Sequence, residues 1–498
     1  MDAGRTSSRA AHALLLLCLA PFVVLCTMNA ATYRYGASDQ AFYVPAVLLK
    51  LHPDAFPRDA ALIHAQAHLT VVDEVIAALS SATGATLPGL FAVLYVASLA
   101  LLASAAWLVA SRLYRTRWAG VALLAALTLR HSISHTGTNT LEGYFHPRQL
   151  AFGLGVLMLA FMLRRRLVAA AIAIVAAAAI HPTTAMWFGL WLAVGVAVLD
   201  QRWRRWLLAA GVAAAVAAVW ALTNGPLAGR FGVMDQDWLA TLDTKDYLFP
   251  LEWRATTWLA NLGSIAAIVV IYYWRRAAGL VSDGEAALAL GGLSLVVAFA
   301  ALLPLNASHV ALAVQLQPAR IFWMLDLLAT IYLVWAVAEG PSPGRQRPAY
   351  AAAVIVGLSL VRGGYVTFVE FPMRPVAQLN LADSDWGRAM AWARSTDRRS
   401  GWLADPYHAV RYGTSLRLSA ERDVFVEAVK DTAMGMYDRD VAMRTRDRIL
   451  AVGDFAALTP QRARELGATY GLDFLVSEQT VDLPLAFQSG PLRIYRLR

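Results

Sequence analysis

Tyr33-Arg34-Tyr35-Gly36-Ala37-Ser38-Asp39-Gln40-Ala41-Phe42-Tyr43 comes directly after the first strongly apolar run of the chain, near residues 12–31. Its acid, Asp39, stands just outside that run, at the head of a helical pattern. Ser38 can cap a helix whose first residue is Asp39, where a carboxylate meets the positive end of the helix dipole. The alternative is a catalytic carboxylate, whose pKa apolar surroundings would raise. What the rest of the chain builds around Asp39 decides between them.

The chain has 498 residues, of which 58% are hydrophobic and 15% charged, with a mean hydropathy of +0.50. A soluble protein would carry about 25% charge, so the composition is that of a polytopic membrane protein with a soluble part. The net charge of +9 does not point to nucleic acid. From Leu381 onward there are 17 basic and 16 acidic residues, so the excess lies in the apolar part, where the positive-inside rule accounts for it. Lysine is nearly absent (Lys50, Lys245, Lys430), and Cys18 and Cys26 read as small apolar residues of the first run.

Outward from Asp39, apolar runs predict about eleven transmembrane helices, near 12–31, 86–111, 117–133, 148–163, 167–181, 184–199, 207–222, 255–274, 285–304, 320–338 and 349–370. Several are short for a hydrocarbon core of about 30 Å. Arg5/Arg9, Arg112/Arg115/Arg117, Arg164/Arg165/Arg166, Arg202/Arg204/Arg205, Arg275/Arg276 and Arg345/Arg347 fall in alternate connections. All belong on the cytoplasmic side. The first run reads as an uncleaved helix, with a cleavable signal peptide as the alternative; either reading puts Asp39 outside.

The first external connection, 32–85, predicts two amphipathic helices lying in the membrane interface, the second starting near Pro57-Arg58-Asp59. Asp59, an acid at that second helix start, is the runner-up to Asp39. Glu142, His146 and Arg148 open the span at 148, where packing or interfacial roles compete with substrate contact. His181-Pro182 divides two short runs, and proline alone can end a helix there. Arg320 is a lone arginine at an outer mouth, either a lipid anchor or an anion site. His64 and His68 have the spacing of a metal pair without a third ligand.

After Pro375 the composition becomes that of a soluble α/β domain, 376–498, with a strand then a turn over 401–406, strands at 423–426, 473–476 and 492–496, a helix at 384–394 and another from Pro460 through Leu466 that Thr459 can cap. It carries no glycine-rich phosphate loop, nucleophile elbow or zinc spacing.

An acid in the first external loop (Gly36-Ala37-Ser38-Asp39), amphipathic helices after it, the His181-Pro182 element and a soluble domain after the last span together resemble GT-C type membrane glycosyltransferases, in particular bacterial members with a C-terminal periplasmic domain. The resemblance implies a GT-C-like transmembrane domain over 1–375 and a periplasmic domain over 376–498. It implies a plasma-membrane protein with its N-terminus in the cytoplasm. The implied activity is inverting transfer of a sugar from a polyprenyl-phosphate-linked donor to a glycan, lipid or protein acceptor on the outer face. On that reading Asp39, with Asp59 behind it, is the catalytic base, while Glu142, His146, Arg148, His181 and Arg320 bind substrate. Donor binding would then not require the C-terminal domain. Many such enzymes carry paired acids in the first loop. Asp39 lacks a neighbouring second acid, which leaves dependence on a divalent metal open. A transporter and a non-catalytic scaffold with a partner-binding domain stay as alternatives. The nearly bare spans argue against the first, and the long first loop against both.

Overall fold

A computed structural model describes residues 2–225, 227–341 and 344–498; the side chains of 2–12, including Arg5 and Arg9, lie outside the described part. The apolar part runs α1 (Asp2–Asn29), β1 (Tyr33–Arg34), α2 (Gln40–Leu51), α3 (Ala60–Ala67), α4 (Val72–Thr83), α5 (Leu87–Leu113) and α6 (Arg117–Leu127). The hairpin β2 (Ser132–Ile133) and β3 (Thr138–Asn139) leads to α7 (Pro147–Met162), α8 (Leu167–Ile180), α9 (Pro182–Leu199), α10 (Arg204–Thr223) and α11 (Gln236–Leu242). Then come α12 (Ala255–Ala277), α13 (Asp283–Ala307), α14 (Ala311–Gln315), α15 (Ile321–Ala338) and α16 (Arg347–Tyr365). Each of the eleven apolar runs holds a helix. Among the described residues seven helices are long and apolar enough to cross a membrane, or eight if the bent pair α3–α4 counts as one.

Helix α6 alone does not complete a crossing; the rest of its run, 128–133, is non-helical. At 1.5 Å per residue its 11 residues rise about 16 Å, roughly half a bilayer core. The run predicted over 117–133 stops as helix at Leu127. The Thr128 hydroxyl turns back to the Ala125 carbonyl (2.6 Å), and Arg130 and His131 come next in irregular chain. Irregular backbone at such depth is tolerated where it lines a polar cavity.

The connection over 32–85 differs from the prediction. Helix α2 does not lie amphipathically in an interface: nine of its 12 residues are buried, because it is packed between α4 and the C-terminal domain. The second predicted helix is two helices, bent by 106°. The chain breaks at Leu69–Val71, where the Val71 amide leaves the helix to donate to the Ala179 carbonyl (3.1 Å).

Beyond α16 a π-turn (Val366–Glu370) leads to β4 (Ala377–Gln378), which pairs in parallel with β1. The C-terminal domain then holds α17 (Asp385–Arg394), β5 (Gly401–Leu403), α18 (His408–Arg411), α19 (Leu416–Ser419), β6 (Asp423–Val424), α20 (Ala428–Gly435) and α21 (Arg439–Val452). It closes with α22 (Pro460–Tyr470), β7 (Phe474–Ser477), β8 (Leu485–Ser489) and β9 (Leu492–Arg496). The sheet order is β6-β5-β7-β9-β8, parallel through the first three strands and antiparallel from β7 through β9 to the edge strand β8. Thr459 caps α22 as its sequence predicts, accepting from the Arg462 amide. Leu418, Met434 and Val441 share one apolar core with Phe42 and Leu62 of the first external connection. Helices α19 to α21 therefore form a layer between the sheet and the membrane part.

Candidate functional site

Asp39 is preceded by a strained lead. Ala31, Thr32 and Ser38 all have positive φ, at 62°, 72° and 50°, and each left-handed non-glycine residue costs about 1–3 kcal/mol. Gly36, at φ +84°, completes the turn, its amide donating to the Gln40 side chain (2.7 Å). This geometry sets Asp39 at the N-cap of α2 with its carboxylate making no cap hydrogen bond. Instead Oδ1 accepts from Lys430 Nζ (2.7 Å) and Oδ2 from His146 Nε2 (3.2 Å).

His146 is the N-cap of α7, and its Nδ1 accepts from the Arg148 amide (3.1 Å). Burial, reinforced by Arg148, pushes its pKa down to about 3. A neutral ring with Nδ1 engaged must carry its proton on Nε2, so His146 donates to Asp39. Burial by itself would raise the Asp39 pKa, but Lys430, the His146 hydrogen bond and Arg148 outweigh it. The carboxyl is held well below the usual range, contrary to the rise expected from apolar surroundings alone.

These groups line a cavity of about 610 Å³ at the end of the bundle that meets the C-terminal domain, within the range of small-ligand sites. Glu142, His146, Arg148, His181 and Arg320 all line it with Asp39. Arg148 donates to Glu142 (3.1 Å) and to the Gly137 carbonyl (3.3 Å), and its guanidinium lies over the Trp323 ring. The Glu142 loop presses on the chain beside β1, so a Cβ at Gly143 would fall 2.4 Å from the Thr32 carbonyl oxygen. His181 caps α9, its Nδ1 bonded to the Thr184 hydroxyl (2.9 Å), which leaves Nε2 as its remaining polar atom. The Arg320 Nε is buried without a hydrogen-bond partner, and among the described residues no carboxylate lies within ion-pair distance of its guanidinium.

Asp59 is elsewhere. Its carboxylate is 0% exposed and lies where α3 meets the C-terminal domain, paired with Arg417 (2.9 Å), Arg444 and Arg448 (3.8 Å). It also accepts from the Val424 amide (3.2 Å). Both carboxylate oxygens accept hydrogen bonds and Asp59 does not line the Asp39 cavity, a placement that fits a docking role better than the base role of the runner-up assignment. His64 and His68 lie outside the cavity, and no three His, Cys, Asp or Glu side chains come together as a metal set among the described residues.

Eight cations and three carboxylates line the cavity, an excess of five positive charges. Most of the cations carry no local signal in the sequence: Arg34, Arg130, Lys245, Arg362, Arg374 and Lys430 come from segments up to hundreds of residues apart. One signal is present. Two of the three lysines in an arginine-using chain meet here. Lys245, 8% exposed, donates to the Val429 carbonyl (2.9 Å), and burial, with Lys430 nearby, lowers its pKa to about 8. Tyr437, Met434 and Lys430 come from the C-terminal domain, so the expected independence of donor binding from that domain does not fit this wall. No protein-family model matches the chain, and no curated protein matches its sequence.

Proposed function

We propose that the protein is a GT-C type glycosyltransferase of the bacterial plasma membrane, with eleven spans, a cytoplasmic N-terminus and an external C-terminal domain. It takes a sugar from a polyprenyl-phosphate-linked donor and passes it, with inversion, to a hydroxyl of an acceptor. The observation that carries this reading is the Asp39 carboxylate, turned away from its own helix into a cavity with an excess of cations.

In the proposed step the acceptor oxygen bonds to the anomeric carbon as the bond to the phosphate oxygen breaks. The acceptor proton passes to Asp39, and the phosphate leaves as an anion held by Arg148, Arg320 and Lys245. Phosphate is a good leaving group without acid assistance, so base catalysis of the nucleophile is what the protein must supply. His146 fixes the carboxylate direction. A bound phosphate competes with Asp39 for Lys430 and Arg148, and drawing those cations away raises the proton affinity of the carboxylate once donor is in place. Asp39→Asn should leave expression and donor retention intact and lower transfer about a hundredfold or more, the range for lost general-base catalysis. Sugar transfer in membranes carrying that variant tests the assignment; near-wild-type turnover would end it.

A further inference from the structure

The charge balance of the cavity exceeds what the donor requires. A sugar phosphodiester carries one negative charge, yet the wall carries five more cations than carboxylates. Four of those cations gather where α1 and α16 reach the outer surface: Arg34, Arg130, Arg362 and Arg374. Among the described residues none has a carboxylate within ion-pair distance, and Glu370 is the single acid of this wall. Burial and then Arg374 depress the Arg34 pKa, which is how cations crowded without a counter-anion behave.

Arg362 is held in place by a chain of buried groups. Its Nη1 donates to the carbonyl (2.9 Å) and to Oδ1 (2.7 Å) of Asn29. The Asn29 amide nitrogen donates to Leu25 and Ser359 carbonyls, and the Ser359 hydroxyl bonds to that of Thr128 (2.6 Å). Asn29, Thr128 and Ser359 are at most 1% exposed, on α1, just past the end of α6 and on α16. Polar groups at that depth are expensive and are retained where they position something. Here the chain reaches the cavity at Asn29 and the Arg362 guanidinium that Asn29 holds.

The same wall has an apolar outer side. The π-turn after α16 brings Val366 and Glu370 to the cavity while Phe368 and Val369 remain exposed, and Met373 just beyond is 93% exposed. π-Turns inside helices concentrate at functional sites.

We infer that Arg34, Arg130, Arg362 and Arg374 form a second anion site that takes the phosphate of a lipid reaching in from the bilayer at the α1–α16 seam. On the transferase reading, on which this part rests, the acceptor as well as the donor is then a phosphate-bearing lipid. Arginine suits this, since its fork grips phosphate bidentately and tolerates an apolar surround. The shared chemistry is phosphate, which free phosphate also offers, so the test separates the two sources.

The full-length protein would be probed by native mass spectrometry with phosphatidic acid, phosphatidylcholine and polyprenyl phosphate. Wild type should retain phosphatidic acid over phosphatidylcholine. The double variant Arg362→Gln/Arg374→Gln, which keeps a donor for Asn29, should lose phosphatidic acid about a hundredfold, roughly tenfold per charged contact, with polyprenyl phosphate still bound. Arg320→Ala should do the reverse. Equal retention of phosphatidylcholine, loss of both phosphate lipids in the same variant, or displacement of phosphatidic acid by millimolar inorganic phosphate would each overturn the lipid site. Selective loss of phosphatidic acid in the double variant supports it even if Arg320→Ala leaves polyprenyl phosphate bound. That second result would count only against the donor assignment.

Discussion

Asp39 and Asp59 stand twenty residues apart, each at the N-cap of a helix and neither capping it. Both are ringed by cations. What separates them is the completeness of the ring. Asp59 has 0% exposure, three arginines and a backbone amide, and its partners are themselves tied: Arg417 also holds Asp431 (3.0 Å). Asp39 has a side-chain exposure of 27%, one lysine and one neutral histidine, and an open cavity in front of it. The first carboxylate is saturated and can only hold parts together. The second can exchange partners, so chemistry is available to it.

The comparison breaks most readily at Asp59. Asp59→Asn leaves Arg417 buried beside an uncharged amide, and removing one partner of a buried pair costs about 3–5 kcal/mol. Thermal melts and limited proteolysis should show the C-terminal domain loosened, whereas Asp39→Asn should melt like wild type. Equal melting of the two variants would remove the distinction.

Lys430 gives the next largest effect. With its cation beside Asp39 the carboxyl pKa lies below the usual range, so the base form persists into acid and transfer should stay flat as pH falls toward the ordinary carboxylate range. Lys430→Met removes the largest lowering influence, so the carboxyl regains its proton at higher pH. The acid limb of the rate profile should move to higher pH. An unmoved limb would mean that another group sets it.

Arg320 comes third: Arg320→Ala should weaken polyprenyl phosphate binding about tenfold, and Arg320→Lys should recover only part, because lysine lacks the bidentate fork. Lys245 should give the smallest change. Its pKa of about 8 means its charge is lost as pH rises through that value, so donor binding should weaken a few-fold between pH 7 and 9. The loss should vanish in Lys245→Arg, which stays charged.

The helices were legible because apolar runs and their arginine flanks are local signals. So were the strands at 401–403 and 492–496, and the Thr459 cap. The break at Leu69–Val71 was not, since it depends on one hydrogen bond to Ala179. Nor was the burial of α2, because it packs on α19 of a domain that begins more than 300 residues later. Asp39 could be singled out by place, but its partner Lys430 could not. Capping rules at Ser38 and Asp39 even pointed the other way, and tertiary contacts overrode them. Asp59 misled for the same reason: an exposed helix start and a buried docking site look alike until Arg417 and Arg444 are brought across.

The two-residue pairing of Tyr33 and Arg34 with Ala377 and Gln378 has a consequence in time. Strand β1 leaves the ribosome about 340 residues before its partner, an interval on the order of 20–70 s at ~5–20 residues per second. Until then the lead into Asp39 has no strand to lie against, and Asp39 has no Lys430. During synthesis the cavity therefore lacks its last wall until the C-terminal domain is made.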